Sequence, residues 1–211
     1  DLRAALPVPY VQLTLPKSRA ESPPMSLPFI DLQAQRKRIE SEVNAAILSV
    51  VESGRYVLGP EVTELEKQLA AWCGAKHSVS CANGTDAIAL PLMAWEVGPG
   101  DAVFCPSFTF VATAQVVPWT SASPVFVDIL PETYNMDPAS LEAAIARVKA
   151  EGKLTPKVVI AVDLFGQPAD YPAIKAICDR ESLKLISDNA QGFGCTLNGK
   201  ATTDWADIAT T

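Results

Sequence analysis

Four stretches of the chain are apolar with little or no alternation: "AVFC" at 102–105, "PVFVD" at 124–128, "KVVIAVD" at 157–163 and "LKLIS" at 183–187. A strand with one wet face alternates apolar and polar residues. A continuous run fits a strand buried on both faces, as in a parallel sheet. Helical segments separate the runs, at about 109–119, 138–150 and 170–181. The second opens on Asp137-Pro138, with Asp as N-cap and Pro in the first turn. Alternating strand and helix make an open α/β fold, a mostly parallel central sheet with helices on both faces, the economical solution. "SVSCA" at 78–82 reads as one more short buried strand. Asn198-Gly199 within "TLNGKAT" signals a hairpin turn.

Before the sheet, Ile39, Val43, Ile47 and Val50 recur at helical spacing over 32–53, and Gly54 ends the pattern. "RYVLGPE" leads to a second helix with Val62, Leu65, Leu69 and Trp72 on one face, closed by Gly74. "NGTDAIALPLMAWEVG" reads as a turn entering a helix that Pro91 interrupts, and "GPGD" at 98–101 as a tight turn. Residues 1–28 hold six prolines and no sustained period. Met25 is a plausible start, so residues 1–27 are expected to be a disordered or non-native leader. Residues 28–211 are then an N-terminal helix plus part of a large domain. The chain stops at Thr211 after a hydrophilic loop, as expected of a fragment.

The formal net charge of -7 argues against a broad basic surface for nucleic acid. No apolar run approaches the roughly 20 residues that span a bilayer, and no signal peptide is evident. The single histidine, His77, has no clustered partner, so a metal site is not expected. The five cysteines (Cys73, Cys81, Cys105, Cys178 and Cys195) form no C-x-x-C pair and read as reduced, buried residues of a cytoplasmic protein.

Open α/β sheets bind ligands beyond the carboxyl ends of their strands. The informative residues are therefore Asn83-Gly84-Thr85, Ser107 to Phe110, Asp128, Asp163 with Gly166, and Asp188 to Gln191. Gly84 and Thr85 stand where a helix begins, either as an ordinary cap or as an anion site of free N–H groups. Phe108 and Phe110 either fill the seam between sheet and helix or stack on a flat heterocycle. Asp188 is either turn chemistry or the partner of a pyridine nitrogen, which a carboxylate keeps protonated. Gln191 reaches either a ring oxygen or a backbone group. Neither G-x-G-x-x-G nor a P-loop is present. One flat, cationic, phosphate-bearing cofactor satisfies the combination, and pyridoxal phosphate fits best.

"SGRYVLGPEVTELEKQLAAWCGAKHSVSCANGTDAIAL", "GPGDAVFCPSFTFVATA", "PVFVDI", "VDLFGQPADY" and "ISDNAQGFGCTLNGK" together resemble the DegT/DnrJ/StrS sugar aminotransferases, in order, over residues 28–211. The resemblance implies the type I aminotransferase large domain, with the C-terminal small domain missing. It implies a homodimer that uses pyridoxal 5'-phosphate to move an amino group from glutamate to a keto-sugar nucleotide. A UDP-linked sugar for cell-surface polysaccharide, such as lipopolysaccharide, is the first expectation. It assigns Gly84 and Thr85 to the phosphate, Phe110 to stacking on the ring, Asp188 to the ring nitrogen and Gln191 to the phenolic oxygen. Tyr56 matches a substrate-side residue of the entry loop, acting in the partner's site. The lysine that tethers the cofactor is expected just beyond Thr211, so the chain by itself is expected to be inactive; Lys200, on the hairpin, is a poor substitute. A histidine in that slot would make a sugar dehydratase of the same family, and neither residue a regulatory relative. Two motifs depart from the family pattern: Asp-Asn-Ala-Gln stands for Asp-Ala-Ala-Gln, and Asp163-Leu164-Phe165-Gly166 for His-Leu-Tyr-Gly.

Overall fold

A computed structural model describes residues 29–211, and the chain divides into two units, Asp1–Tyr56 and Val57–Thr211. The expected leader at 1–27 lies outside the described residues. The first unit holds α1 (Leu32–Arg38) and α2 (Glu40–Ser53). One helix over 32–53 was expected; Ile39 divides it, with φ -123° and ψ 15°. Its amide closes the first helix on the Arg36 carbonyl (3.1 Å), while the Arg36 guanidinium donates across the break to Glu40 (2.7 Å) and Asn44 (3.1 Å). Gly54 ends α2 at φ 67°, a left-handed conformation that costs glycine little.

The second unit opens with α3 (Pro60–Cys73), entered through Pro60 in its first turn. "SVSCA" does not form the expected buried strand. Val79 is 78% exposed, and Ser80 is held by Glu66, which accepts from its amide (2.8 Å) and its hydroxyl (2.7 Å). With no neighbouring strand among the described residues, these five have no ladder to join, and a side chain takes the backbone donor instead. α4 (Gly84–Ala94) follows as expected, with Pro91 in its last turns.

Five strands build the sheet: β1 (Asp101–Pro106), β2 (Ser123–Val127), β3 (Thr155–Val162), β4 (Lys184–Asp188) and, after the hairpin β5 (Thr196–Leu197) and β6 (Lys200–Ala201), β7 (Ile208–Thr210). Their order is β2-β1-β3-β4-β7 and every pairing is parallel. The expectation of a loop up to Thr211 is thereby corrected: Ile208, Ala209 and Thr210 pair with Ile186, Ser187 and Asp188. The helix expected at 109–119 is shorter, α5 (Ala112–Gln115) followed by a 3-10 turn at Val117–Thr120, where Pro118 lacks the amide that would continue it.

Residues alternate between two cores along each strand. Val103, Val158, Ile160 and Ile186 pack with Ile88 and Leu92 of α4 and with Val116 and Val117. Phe104, Val159, Ala161 and Leu185 face the other way, onto Leu141 and Ile145 of α6 (Pro138–Glu151) and Tyr171 and Ile174 of α7 (Tyr171–Glu181). Both faces of β1, β3 and β4 are covered, which is why they read as unbroken apolar runs; β2, at the sheet edge, departs from the expected burial, with Phe126 55% exposed. Each such side chain, fully buried, stabilises the fold by about 1.5–3 kcal/mol. The neighbours of β1 lie on opposite sides of it, so the strand order reverses there and the following loops part to leave a crevice.

Candidate active site

Asp188 ends β4 and is 5% exposed. Its carboxylate accepts from the Thr113 hydroxyl (3.2 Å) and the Ala190 amide (3.2 Å). Thr109 lies 2.9 Å behind Thr113, hydroxyl to hydroxyl. No basic side chain pairs with Asp188 among the described residues. Burial pushes its carboxyl above the usual range, and the Asp163 carboxyl nearby adds to the effect. A buried acid supplied with hydrogen bonds but no counter-charge is suited to receive a cation.

Register places Thr210 beside Asp188, and Gly84 lies against the next residue: a Cβ on Gly84 would stand 3.8 Å from the Thr211 carbonyl carbon. The start of α4 is therefore close to the end of β4. Asn83 caps α4 by accepting from the Asp86 amide (2.9 Å). That leaves the Gly84 and Thr85 amides free for an anion. The cap role thus falls to Asn83, and the two residues after it stay available for an anion.

Gln191 uses its side-chain oxygen to accept from the Phe165 amide (2.6 Å). It thereby ties the loop after β4 to the 3-10 turn Leu164–Gly166 after β3, leaving its amide N–H groups for a ligand. Phe110 stands 67% exposed with no ring packed on it among the described residues, after β1 and before α5. Phe108 instead meets Tyr134 (5.6 Å) and Phe165 (6.4 Å) across the crevice, and both partners have positive φ. The expected pair of aromatics thus divides, one ring clustered and one open.

The second unit brings together Gly84, Thr85, Asp188 and, through Thr113, the loop that carries Phe110. Tyr56 belongs to the first unit, where its hydroxyl donates to the Val51 carbonyl (3.0 Å). Ser107 donates its amide to the Val127 carbonyl (2.8 Å) and is exposed. Asp128 accepts from the Ile129 amide (2.8 Å), a local turn. Lys200 lies 5.1 Å over the Trp205 ring, part of the hairpin. Cys105 and Cys178 are buried and their thiols are pushed up to about 12 by burial, but Cys81 is exposed, against expectation.

Sequence reasoning missed Thr113, which was legible only as the residue one helical turn past Phe110. It also missed the burial of Asp163, Tyr171, Ser187, Asn189 and Thr202 in one polar cluster, whose contacts join separate elements.

A model of the DegT/DnrJ/EryC1/StrS aminotransferase family matches residues 37–211. The chain is 50% identical over 184 residues to the UDP-2-acetamido-2-deoxy-3-oxo-D-glucuronate aminotransferase of Pseudomonas aeruginosa, covering 87% of this chain and 49% of that protein. It therefore spans about half the length of the curated relatives it matches. A DegT DnrJ EryC1 StrS aminotransferase from Brucella abortus superposes with a TM-score of 0.79 at 57% identity, over 80% of this chain and 45% of that one. NtdA from Bacillus subtilis, solved with bound cofactor PMP, superposes at 0.76 and 31% identity, over 87% and 40%. With the parallel sheet and the acid at its carboxyl end, these likenesses place the chain in the DegT/DnrJ/EryC1/StrS aminotransferase family.

Proposed function

We propose that the full-length protein is a pyridoxal-phosphate-dependent aminotransferase that moves an amino group from glutamate to a keto-sugar nucleotide. The observation that carries the proposal is Asp188, a buried acid with no counter-charge among the described residues, at the end of the sheet where Thr210 and Thr211 meet the start of α4. These residues fit a flat cation that bears a phosphate. Pyridoxal phosphate, when bound, supplies an electron sink for the bond changes at the amino carbon. Asp188 would hold the proton on the ring nitrogen, and Thr113 holds Asp188. Gly84 and Thr85 would take the phosphate, Phe110 would cover one ring face, and Gln191 would donate to the phenolic oxygen.

A UDP-linked sugar is the first substrate class, supported by the activity of the Pseudomonas relative. Cell-surface polysaccharide synthesis, a cytoplasmic location and a homodimer in which Tyr56 serves the partner's site belong to the same proposal. Residues 28–211 are the N-terminal helices and part of the cofactor-binding large domain. No described helix is long and apolar enough to cross a membrane.

The full-length protein loaded with pyridoxal phosphate tests the reading. Glutamate should convert the cofactor's absorbance with release of 2-oxoglutarate, and a UDP-keto-sugar should restore it. Loaded protein whose spectrum glutamate leaves unchanged would overturn the amino-donor assignment. Restoration by other keto-acids but by no sugar nucleotide would overturn the acceptor class.

A further inference from the structure

On the α7 side of the sheet, next to Asp188, four buried side chains close a ring. The Tyr171 hydroxyl lies 2.8 Å from Asp163 Oδ1 and also meets Ser187 Oγ. Ser187 Oγ lies 3.1 Å from Asn189 Oδ1, and Asn189 Nδ2 donates to Asp163 Oδ2. The second N–H of Asn189 donates to Thr202 (2.8 Å). Asp163, Tyr171 and Ser187 have no exposed surface, and Asn189 has 3%. The two motif departures noted in the sequence, Asp163 and Asn189, are thus in direct contact.

Protons decide what the ring is. Three of its four contacts join oxygen to oxygen, and each needs one hydroxyl proton. Tyr171 and Ser187 supply two. Asn189 Oδ1 has no proton to give, so the third comes from Asp163. We propose that Asp163 is held as a neutral carboxylic acid that donates to Tyr171 and acts as a positioning residue for Asp188. Tyr171 then donates to Ser187, Ser187 to Asn189, and Asn189 back to Asp163. The Ala169 amide, 3.1 Å from Asp163 Oδ1, donates to the same oxygen. The backbone carries the order onward: Asp163 N–H donates to the Asp188 carbonyl (3.0 Å), and Asn189 N–H to the Thr210 carbonyl (2.7 Å).

Burial favours the neutral form of Asp163, raising its carboxyl above the usual range. The titratable groups that face it are Asp188 from β4, Tyr171 from α7 and Cys195 from the loop after β4, none of them cationic. An ionised Asp163 would set a second negative charge beside Asp188 and draw a proton onto it. A neutral one leaves Asp188 as the single anion for the cofactor's ring. This consequence rests on the proposed role of Asp188; the protonation of Asp163 does not.

The test uses the full-length protein labelled with carboxyl-13C aspartate. Infrared spectra at neutral pH should show a protonated-carboxyl band that persists in D188N and vanishes in D163N. A wild-type spectrum without that band, or a band that only D188N removes, would overturn the proposal without any variant at position 163 having to fold. In folded variants, confirmed by circular dichroism, D163N keeps the ring closed, since its amide donates to Tyr171 and accepts from Asn189; only the Ala169 contact is lost. It should hold the cofactor with an unchanged pH titration of the absorbance. N189A opens the ring and should weaken cofactor affinity about tenfold, with a shifted titration midpoint. Folded D163N that loses the cofactor would count against the neutral acid. D188N that retains the cofactor normally, with the infrared band intact, would remove the Asp188 role alone.

Discussion

Asp188 is the residue at which the requirements of folding and of binding oppose each other. Its carboxyl is raised in the folded chain, so between the unfolded and folded values the native state binds more protons than the unfolded one. Its stabilising contribution is full below the unfolded value, falls as pH rises through the folded value, and stays lost above it. D188N removes that dependence. Cofactor-free D188N should melt higher than wild type at neutral pH and lose part of the decline between acid and neutral pH, as read by thermal scans. The same change should lower transfer in the loaded full-length enzyme on the order of a hundredfold or more. Near-normal turnover would sink the assignment. Gly192 fixes the cluster from outside. A Cβ there would lie 2.4 Å from Asp163 Cβ, so G192A should destabilise by about 1–3 kcal/mol in urea unfolding. An unchanged midpoint would show that the approach relaxes freely. At this scale the sequence was legible where position alone carried meaning: Asp188 is the residue that ends an apolar strand. Its hydrogen-bond donor Thr113 lies 75 residues away, and the Asn189–Asp163 contact joins residues 26 apart. Only the register of the sheet brings such partners together.

Among the elements, α4 separates a structural role from a binding one. Asn83 is its cap and Gly84 its first residue. A methyl group on Gly84 would meet nothing closer than 3.8 Å, which is ordinary contact. G84A should therefore leave the melting temperature unchanged or slightly higher, since alanine is the better helix former. It should weaken cofactor affinity by crowding the amides proposed to take the phosphate, read by titration of the absorbance. A lower melting temperature with affinity preserved would reverse the assignment. N83A should do the opposite and cost about 1 kcal/mol of stability through the lost cap. The long elements were legible for a physical reason. β1, β3 and β4 are buried along most of their length, so they appear as apolar runs; the edge strand β2 reads the same way although Phe126 is exposed. "SVSCA" has the same composition but no neighbour to pair with among the described residues, and composition does not record partners. "IAT" at 208–210 is too short to show a pattern, yet the open edge of β4 makes it a strand.

The second unit carries the side chains proposed to bind the cofactor, and the covalent tether is still to be located. Among the described lysines, Lys149 pairs with Glu181, Lys175 with Asp179, Lys157 with Asp101 and Lys184 with Asp207. Lys157 and Lys184 sit at the beginning of β3 and β4, the end of the sheet away from Asp188. Lys200 covers Trp205. These five have other partners, and the family resemblance assigns the tether to no lysine of residues 1–211. Residues 1–211 expressed alone should give no single modified lysine when treated with pyridoxal phosphate and borohydride, and no glutamate-dependent turnover. The full-length protein should give one stoichiometric adduct, mapped by peptide mass to a lysine C-terminal to Thr211. An adduct at Lys200 in both forms would place the tether on the hairpin and require the ring to lie over β5 and β6. A full-length protein that binds the cofactor reversibly without any adduct would point to the dehydratase or regulatory alternatives, because tight binding by Asp188 and α4 needs no lysine but transfer does.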